Sequence, residues 1–312
     1  MELSLLLASK LASMMLMVVV GFAIVRLGIM KVEDSKPIST LIVFVLTPCL
    51  IIRAFQIDLT PARLEGFFAS VLFMAASYVV WILLAKLLKK PLKISPIDEA
   101  TLVYTNVGNL TLPLVSMILG EEMVFYAGSL QLPFLLFIWT HGVMTIQGSR
   151  KIDLKKMLLN TNMIALYIGV ALLALRIRIP EILDTTMEGF SSMVGPASML
   201  VAGMVIAGRN LKTVFTFRRA YLIQIGRLLI LPMLSTTLLY LSGILKAMPQ
   251  LTPILMTVVI GLSAPAASTV SQLAVVYDKE PETANIYNVM GLMFCILTIP
   301  LNVWYYQWLM QM

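Results

Sequence analysis

Apolar and polar positions alternate along this chain in long blocks. A helix needs roughly 20 mostly apolar residues to cross the hydrocarbon core of a bilayer. Ten such stretches, separated by short polar segments, are numbered spans one to ten. They cover residues 3–25, 37–55, 66–88, 97–119, 123–146, 160–177, 188–207, 219–242, 250–275 and 283–308. The pattern predicts an all-α integral membrane protein with ten transmembrane helices.

The composition agrees with membrane insertion. Hydrophobic residues make up 59% of the 312 residues, charged residues 12%, and the mean hydropathy is +0.92, which is unusual for a soluble domain. No loop is rich enough in Ser, Gly or charge to form a linker. Glu2 precedes the first apolar stretch and no basic residue occurs before Lys10. We therefore expect a membrane span there rather than a cleavable signal peptide.

The distribution of Lys and Arg predicts the orientation. Of the 23 basic residues, 16 lie in loops after odd-numbered spans and 5 in loops after even-numbered spans, while Lys10 and Arg227 lie inside spans. Because cytoplasmic loops are enriched in Lys and Arg, both termini are expected outside the cytoplasm. The net charge of +7 is then a consequence of topology, and nucleic acid is not an expected partner.

The positions of the prolines indicate an internal repeat. Pro196 in span seven follows Pro48 in span two by 148 residues, and Pro265 in span nine follows Pro113 in span four by 152 residues. Because five spans precede the central basic loop, a repeat relating the two halves must be inverted. The predicted organisation is a five-helix repeat over 1–147, a short cytoplasmic connecting loop over 148–157, and an inverted five-helix repeat over 158–312.

Spans four and nine contain residues that break helices. Span four reads NVGNLTLP from Asn106 to Pro113, and span nine contains GLSAPAAS. Proline lacks the N–H that a helix needs, and glycine tolerates non-helical dihedrals. A break at membrane depth is tolerated only inside protein or beside a water-filled cavity. The alternative interpretation is a pair of proline-kinked structural helices.

The break also predicts how the second half of each span begins. Asn106 and Asn109 are expected to pair with the freed backbone groups, and Thr111 and Ser263 to cap the second half-helices. Two half-helix N-termini would then point at the membrane midplane. Each carries about half a positive charge and favours an anionic ligand.

The stretches NVGNLTLPLVSMILGEE and GLSAPAASTVSQLAVVYDKEPETANIYNVMGLMFCILTIPL resemble the auxin efflux carrier family of membrane transporters. LTPCLIIRAFQIDL and GPASMLVAGMVIAGRNL resemble spans two and seven of that family. The short central loop is similar to that of prokaryotic-type members, which implies a cell inner membrane protein. The resemblance implies two inverted repeats, crossed broken helices in spans four and nine, and elevator-type movement. It implies a substrate site at Asn106, Asn109, Pro113, Ser263, Pro265 and Ser268.

Other polar residues inside spans have two interpretations each. Gln131 and Asn288 either contribute to the substrate site or bond a neighbouring helix. Arg227 is expected to extend towards the interface, with binding of an anion or a helix C-terminus as the alternative, and Lys10 is also expected to extend to the interface. His141 is expected to bond locally, with proton relay as the alternative.

These features predict a secondary transporter for a small organic anion, a carboxylate. The alternative is a sodium-coupled symporter of bile-acid-carrier type, which shares the crossed architecture, and a membrane receptor or sensor is a remote third. No enzyme motif occurs in the sequence, and no cofactor or metal site is expected. No Asp or Glu lies deep within a span, so the coupling ion, sodium or a proton, stays open. The expected partners are the substrate, the bilayer and, as an open alternative, a second copy in a homodimer.

Overall fold

The computed structural model describes residues 2–148, 159, 161–208 and 211–311; the side chains of residues 2–11, Asn109, Leu211 and Thr213 also lie outside the described part. Apart from one isolated bridge, the described residues form no β-structure, which confirms the all-α class. The helical segments are α1 Glu2–Arg26, α2 Val32–Ala54, α3 Pro61–Leu88, α4 Pro96–Val103, α5 Leu112–Leu119, α6 Glu121–Gln147, α7 Thr161–Ala174, α8 Glu181–Ala207, α9 Leu211–Thr216, α10 Arg218–Leu241, α11 Ile244–Ala247, α12 Thr252–Ser263, α13 Ser268–Val276 and α14 Pro281–Met310.

Six of the helices in the described ranges are long and apolar enough to cross a membrane: α2, α3, α6, α8, α10 and α14. Shorter apolar helices occur at Ala12–Arg26, Thr161–Ala174 and Pro249–Ser263, within predicted spans one, six and nine. Span four is divided between α4 and α5, and the second part of span nine is α13. The predicted connecting loop 148–157 lies, apart from Gly148, outside the described residues.

Helix α8 begins at Glu181, earlier than the predicted start of span seven at residue 188. The first part contains Glu181 and Asp184, which interrupt the apolar pattern, and the predicted span begins only at Glu188. The carboxylates of Asp184 and Glu188 face Arg53 of α2, with Nε–Oδ1 and Nη2–Oε2 distances of 2.9 and 3.5 Å. Because the charges are paired between helices, the helix extends through a segment whose hydropathy alone indicates a loop.

Helices α1 and α8 pack closely enough for their backbones to touch. A Cβ atom placed on Gly203 would lie 2.0 Å from the carbonyl oxygen of Val18, and one on Gly21 would lie 2.0 Å from that of Leu200. Small residues allow this approach, and van der Waals packing drives helix association within a bilayer. This pair therefore depends on two glycines, one on each helix.

The two broken spans lie in the core. In α12, every residue from Ile254 to Ser263 is buried, so the helix is surrounded by protein on all sides. Within the described ranges, four π-helical turns interrupt the helices, at Ile42–Leu46, Val107–Thr111, Ile138–Gly142 and Gly226–Ile230. Such turns are frequent at functional sites. The turn Val107–Thr111 leads directly into α5 and completes the second half of span four.

Candidate functional site

The breaks of spans four and nine cross and hydrogen-bond to each other. Span four leaves helical geometry between α4 and Val107, and span nine between α12 and α13. The Asn106 N–H donates to the carbonyl oxygen of Pro265, and the Ala267 N–H donates to that of Tyr104, both at 2.9 Å. Thr105 and Ala266 form an isolated antiparallel bridge. Each break thus satisfies backbone groups that the other leaves without helical partners.

The predicted caps of the half-helices are wrong. Thr111 lies in the π-helical turn, and its Oγ1 donates to the carbonyl oxygen of Asn106 at 3.1 Å. Ser263 ends α12, and its Oγ donates to the carbonyl oxygen of Val259 at 2.7 Å. Span four breaks at Tyr104–Asn106, before the π-helical turn, and Pro113 lies in the first turn of α5 without a second interruption. Pro265 lies within the break rather than in the first turn of α13.

A cavity of about 210 Å³ lies beside the crossing, between the broken spans and helices α2, α8 and α14. Three of the predicted site residues, Asn106, Ser268 and Asn288, line it, and Asn106 Nδ2 donates to Ser268 Oγ at 3.4 Å. The rest of the wall is largely apolar. Among the described residues, the polar lining is Ser39, Asn106, Ser198, Ser268, Asn285 and Asn288.

Both breaks place the beginning of a helix at this cavity. Val107 follows Asn106 and begins the second half of span four, while Ser268 is the first residue of α13. No Lys, Arg, Asp or Glu belongs to the described lining. Because the N-terminus of a helix carries partial positive charge, these two helix beginnings favour an anion over a cation at this cavity.

Comparison with known proteins identifies the family. A family described as membrane transport protein matches residues 6–155 and 145–305 of the chain, so the matched segments run through nearly all of it. The chain belongs to this membrane transport protein family, the auxin efflux carrier family. No curated protein matches the chain. Family membership makes the chain a multi-pass membrane transporter.

Three polar residues of the transporter's cavity were missing from the sequence prediction. Asn285 lies one helical turn before Asn288, so the shared face of α14 could have indicated it. Ser39 and Ser198 lie in α2 and α8, and no motif distinguishes them from other serines. Ser198 Oγ is buried and has no hydrogen-bond partner among the described residues, which leaves it available to a ligand.

The other predicted site residues of the transporter lie away from this cavity. Thr111, Pro113, Ser263 and Pro265 are not part of its lining. Gln131 is buried, and its Nε2 would lie 3.1 Å from a Cβ atom on Gly108. Gln131 therefore contacts the beginning of the half-helix from outside the cavity. Asn109 was also predicted to belong to the substrate site, but its side chain lies outside the described part of the structure.

The intramembrane cation of the transporter does not extend to the interface as expected. Arg227 is fully buried in α10 and donates to the carbonyl oxygens of Leu262 and Ala264 at 3.1 and 2.6 Å. The structure supports the alternative, contact with a helix C-terminus, because these carbonyls belong to the end of α12. The Lys10 side chain lies outside the described part.

His141 and the acidic residues at the start of span four form local contacts. His141 Nδ1 lies 2.8 Å from the Tyr104 hydroxyl, and Nε2 lies 3.5 Å from Glu99 Oε1, in agreement with local bonding. Asp98 and Glu99 are buried, which sequence position alone did not indicate. Asp98 pairs with Arg219 and accepts from the Tyr287 hydroxyl at 2.5 Å.

Proposed function

We propose that this member of the family is a secondary transporter that binds a small organic anion, a carboxylate, in the cavity beside the crossing. The observation that carries the proposal is the position of the cavity: two half-helices begin at it, and its described lining holds amides and hydroxyls but no charged side chain. An anion there would accept hydrogen bonds from backbone and side-chain donors without displacing a fixed counter-ion.

The size of the cavity supports a small substrate. Its volume of about 210 Å³ is below the roughly 300–1,000 Å³ of typical sites for drug-sized ligands. The apolar part of the wall, which includes Ile42, Leu110 and Val201, would cover the carbon skeleton of the substrate. The polar part would face its carboxylate.

The cavity also supports alternating access of the elevator type. Helices α2 and α8 form one wall, and the crossing with α14 forms the other. In the proposed arrangement, ten spans form two inverted five-helix repeats, and the wall with the crossing carries the substrate past α2 and α8. The substrate then reaches each side of the membrane without a continuous pore.

A panel of organic acids tests the proposal by thermal shift with purified protein. An acid that binds the native protein raises its melting temperature. At a concentration of 100 times its dissociation constant, the acid stabilises the native protein by about 2.7 kcal/mol. Its amide should give a much smaller shift at a pH where the acid is ionised. Ser198→Ala should weaken the response, whereas Ser192→Ala, on the exposed side of the same helix, should preserve it. Equal stabilisation by acid and amide would contradict the proposal.

A further inference from the structure

Arg227 is an arginine in the interior of the protein, and none of the described carboxylates pairs with it. Its exposure is 0%, and it forms no ion pair among the described residues. Removing a cation from water costs several kcal/mol unless other groups replace the solvation. The surroundings of Arg227 must therefore supply negative potential in another form.

Two groups around the guanidinium supply this potential. Nη1 and Nη2 donate to the carbonyl oxygens of Leu262 and Ala264, where α12 ends and the break begins, and a helix C-terminus carries about half a negative charge. On a second side the guanidinium carbon lies 5.0 Å from the ring centroid of Trp81, within the range of a cation–π interaction. Nε has no hydrogen-bond partner in the described part.

The contacts connect Arg227 to both breaks. Trp81 packs against Tyr78 with ring centroids 6.2 Å apart, and the Tyr78 hydroxyl lies 2.9 Å from Oγ1 of Thr105. Thr105 forms the bridge with Ala266. The guanidinium thus holds the end of α12 directly and contacts the break of span four through two aromatic side chains. It does not line the substrate cavity.

We propose that Arg227 is the resident cation of the crossing, a positioning residue that does at this helix break what a bound sodium ion would otherwise do. The carbonyl groups at a broken helix form a natural cation site in membrane transporters. Here two of them already bind a guanidinium, whose positive charge would repel a second cation. This assignment implies that the break requires no sodium ion. Only the role of Arg227 in transport rests on the proposed function.

Sodium itself is the probe, so the test needs no substrate. The melting temperature of the purified protein is measured in sodium, potassium and choline chloride at equal ionic strength. The wild type should give the same value in all three salts. A rise that is specific to sodium and saturates with its concentration would overturn the proposal, because a vacant site would then exist beside Arg227 or instead of it.

Arg227→Ala removes the guanidinium and opens space beside the two carbonyl groups. This variant should melt lower than the wild type in choline and regain stability as sodium or potassium is added. Arg227→Lys keeps the charge and should stay insensitive to the choice of salt. Lys36→Ala removes one exposed positive charge and controls for the change in net charge. A folded Arg227→Ala protein without any response to the cation would contradict the proposal.

If Arg227→Ala does not fold, the melting temperature of Arg227→Gln is measured in the same salts, with the same expected result. Failure of both neutral variants, together with a folded Arg227→Lys protein, would support a requirement for positive charge at this position. Failure of all three would contradict the proposal, because lysine supplies the charge. The organic-acid measurements test the proposed function separately. Sodium insensitivity with no acid bound would reject the proposed function and leave the assignment of Arg227 intact.

Discussion

The Asn106 N–H donates a 2.9 Å hydrogen bond to the carbonyl oxygen of Pro265, so the two broken spans are joined where each departs from helical geometry. The side chain of Asn106 extends from the same residue into the cavity. One residue therefore connects the crossing, through its backbone, with the proposed substrate site, through its amide.

Asn106→Ala should separate these two roles. The variant keeps the N–H that joins the breaks and loses the amide that faces the cavity. We expect a melting temperature near that of the wild type. The organic acid should bind more weakly by about 1–3 kcal/mol, because the variant leaves a buried polar group of the acid without its hydrogen-bond partner. Isothermal titration measures the affinity. An unchanged affinity would remove Asn106 from the substrate site.

Thr111→Val and Ser263→Ala should affect stability rather than affinity. Each hydroxyl donates to a backbone carbonyl of its own span, and neither lines the cavity. Each substitution should cost about 1 kcal/mol of stability, and the double variant should be additive because the hydroxyls share no partner. Thermal denaturation is measured with and without the acid. If the two residues instead capped half-helices at one binding site, the variants would lose affinity for the acid and their effects would be coupled.

Gly203→Ala should disrupt the packing of α1 against α8. The new Cβ atom would lie 2.0 Å from the carbonyl oxygen of Val18, so the helices must separate and lose contact along their interface. Gly189→Ala on the same helix is the matched control, because nothing lies within 4 Å of its Cβ position. We expect a clear fall in melting temperature for the first variant. The control should be neutral or stabilised by up to about 1 kcal/mol through helix propensity.

Glu121→Gln should change the rate of transport without changing affinity. Glu121 Oε2 lies 2.9 Å from Arg53 Nη1, which joins the start of α6 to α2. We propose that α6, which follows α5 along the chain, moves with the crossing and away from α2. A half-exposed ion pair contributes about 0.2–1 kcal/mol, so the rate should rise by at most about five-fold. Glu122→Gln, without an ion pair in the described part, is the control. Equal rates for both variants in proteoliposomes would argue against separation at this contact.

The distribution of basic residues predicts the location of the termini. Single cysteines near Glu2 and Gln311, in a background without Cys49 and Cys295, should react with an impermeant thiol reagent applied to intact cells. Both native cysteines are free, so their removal breaks no disulfide. Protection of both termini would reverse the predicted orientation. Protection of only one would contradict an even number of spans.

The sequence alone determined the membrane class, the all-α fold and the presence of interruptions in spans four and nine. These properties follow from local physics: the apolar length needed to cross a bilayer, and the inability of proline to continue a helix. Asn106 and Asn288, which line the cavity, were candidates because an amide inside an apolar block is conspicuous in the sequence, whereas Ser268 was a candidate through the family resemblance.

Only the tertiary structure decided where the breaks begin and which polar groups meet. The sequence predicted Thr111 and Ser263 as caps of half-helices, yet each bonds within its own span. Arg227 was expected to extend to the interface, yet its guanidinium binds carbonyl groups 35 and 37 residues further along the chain. Buried polar groups take the partners that folding places within hydrogen-bond distance. Those partners come from other helices, and no local pattern specifies their distance.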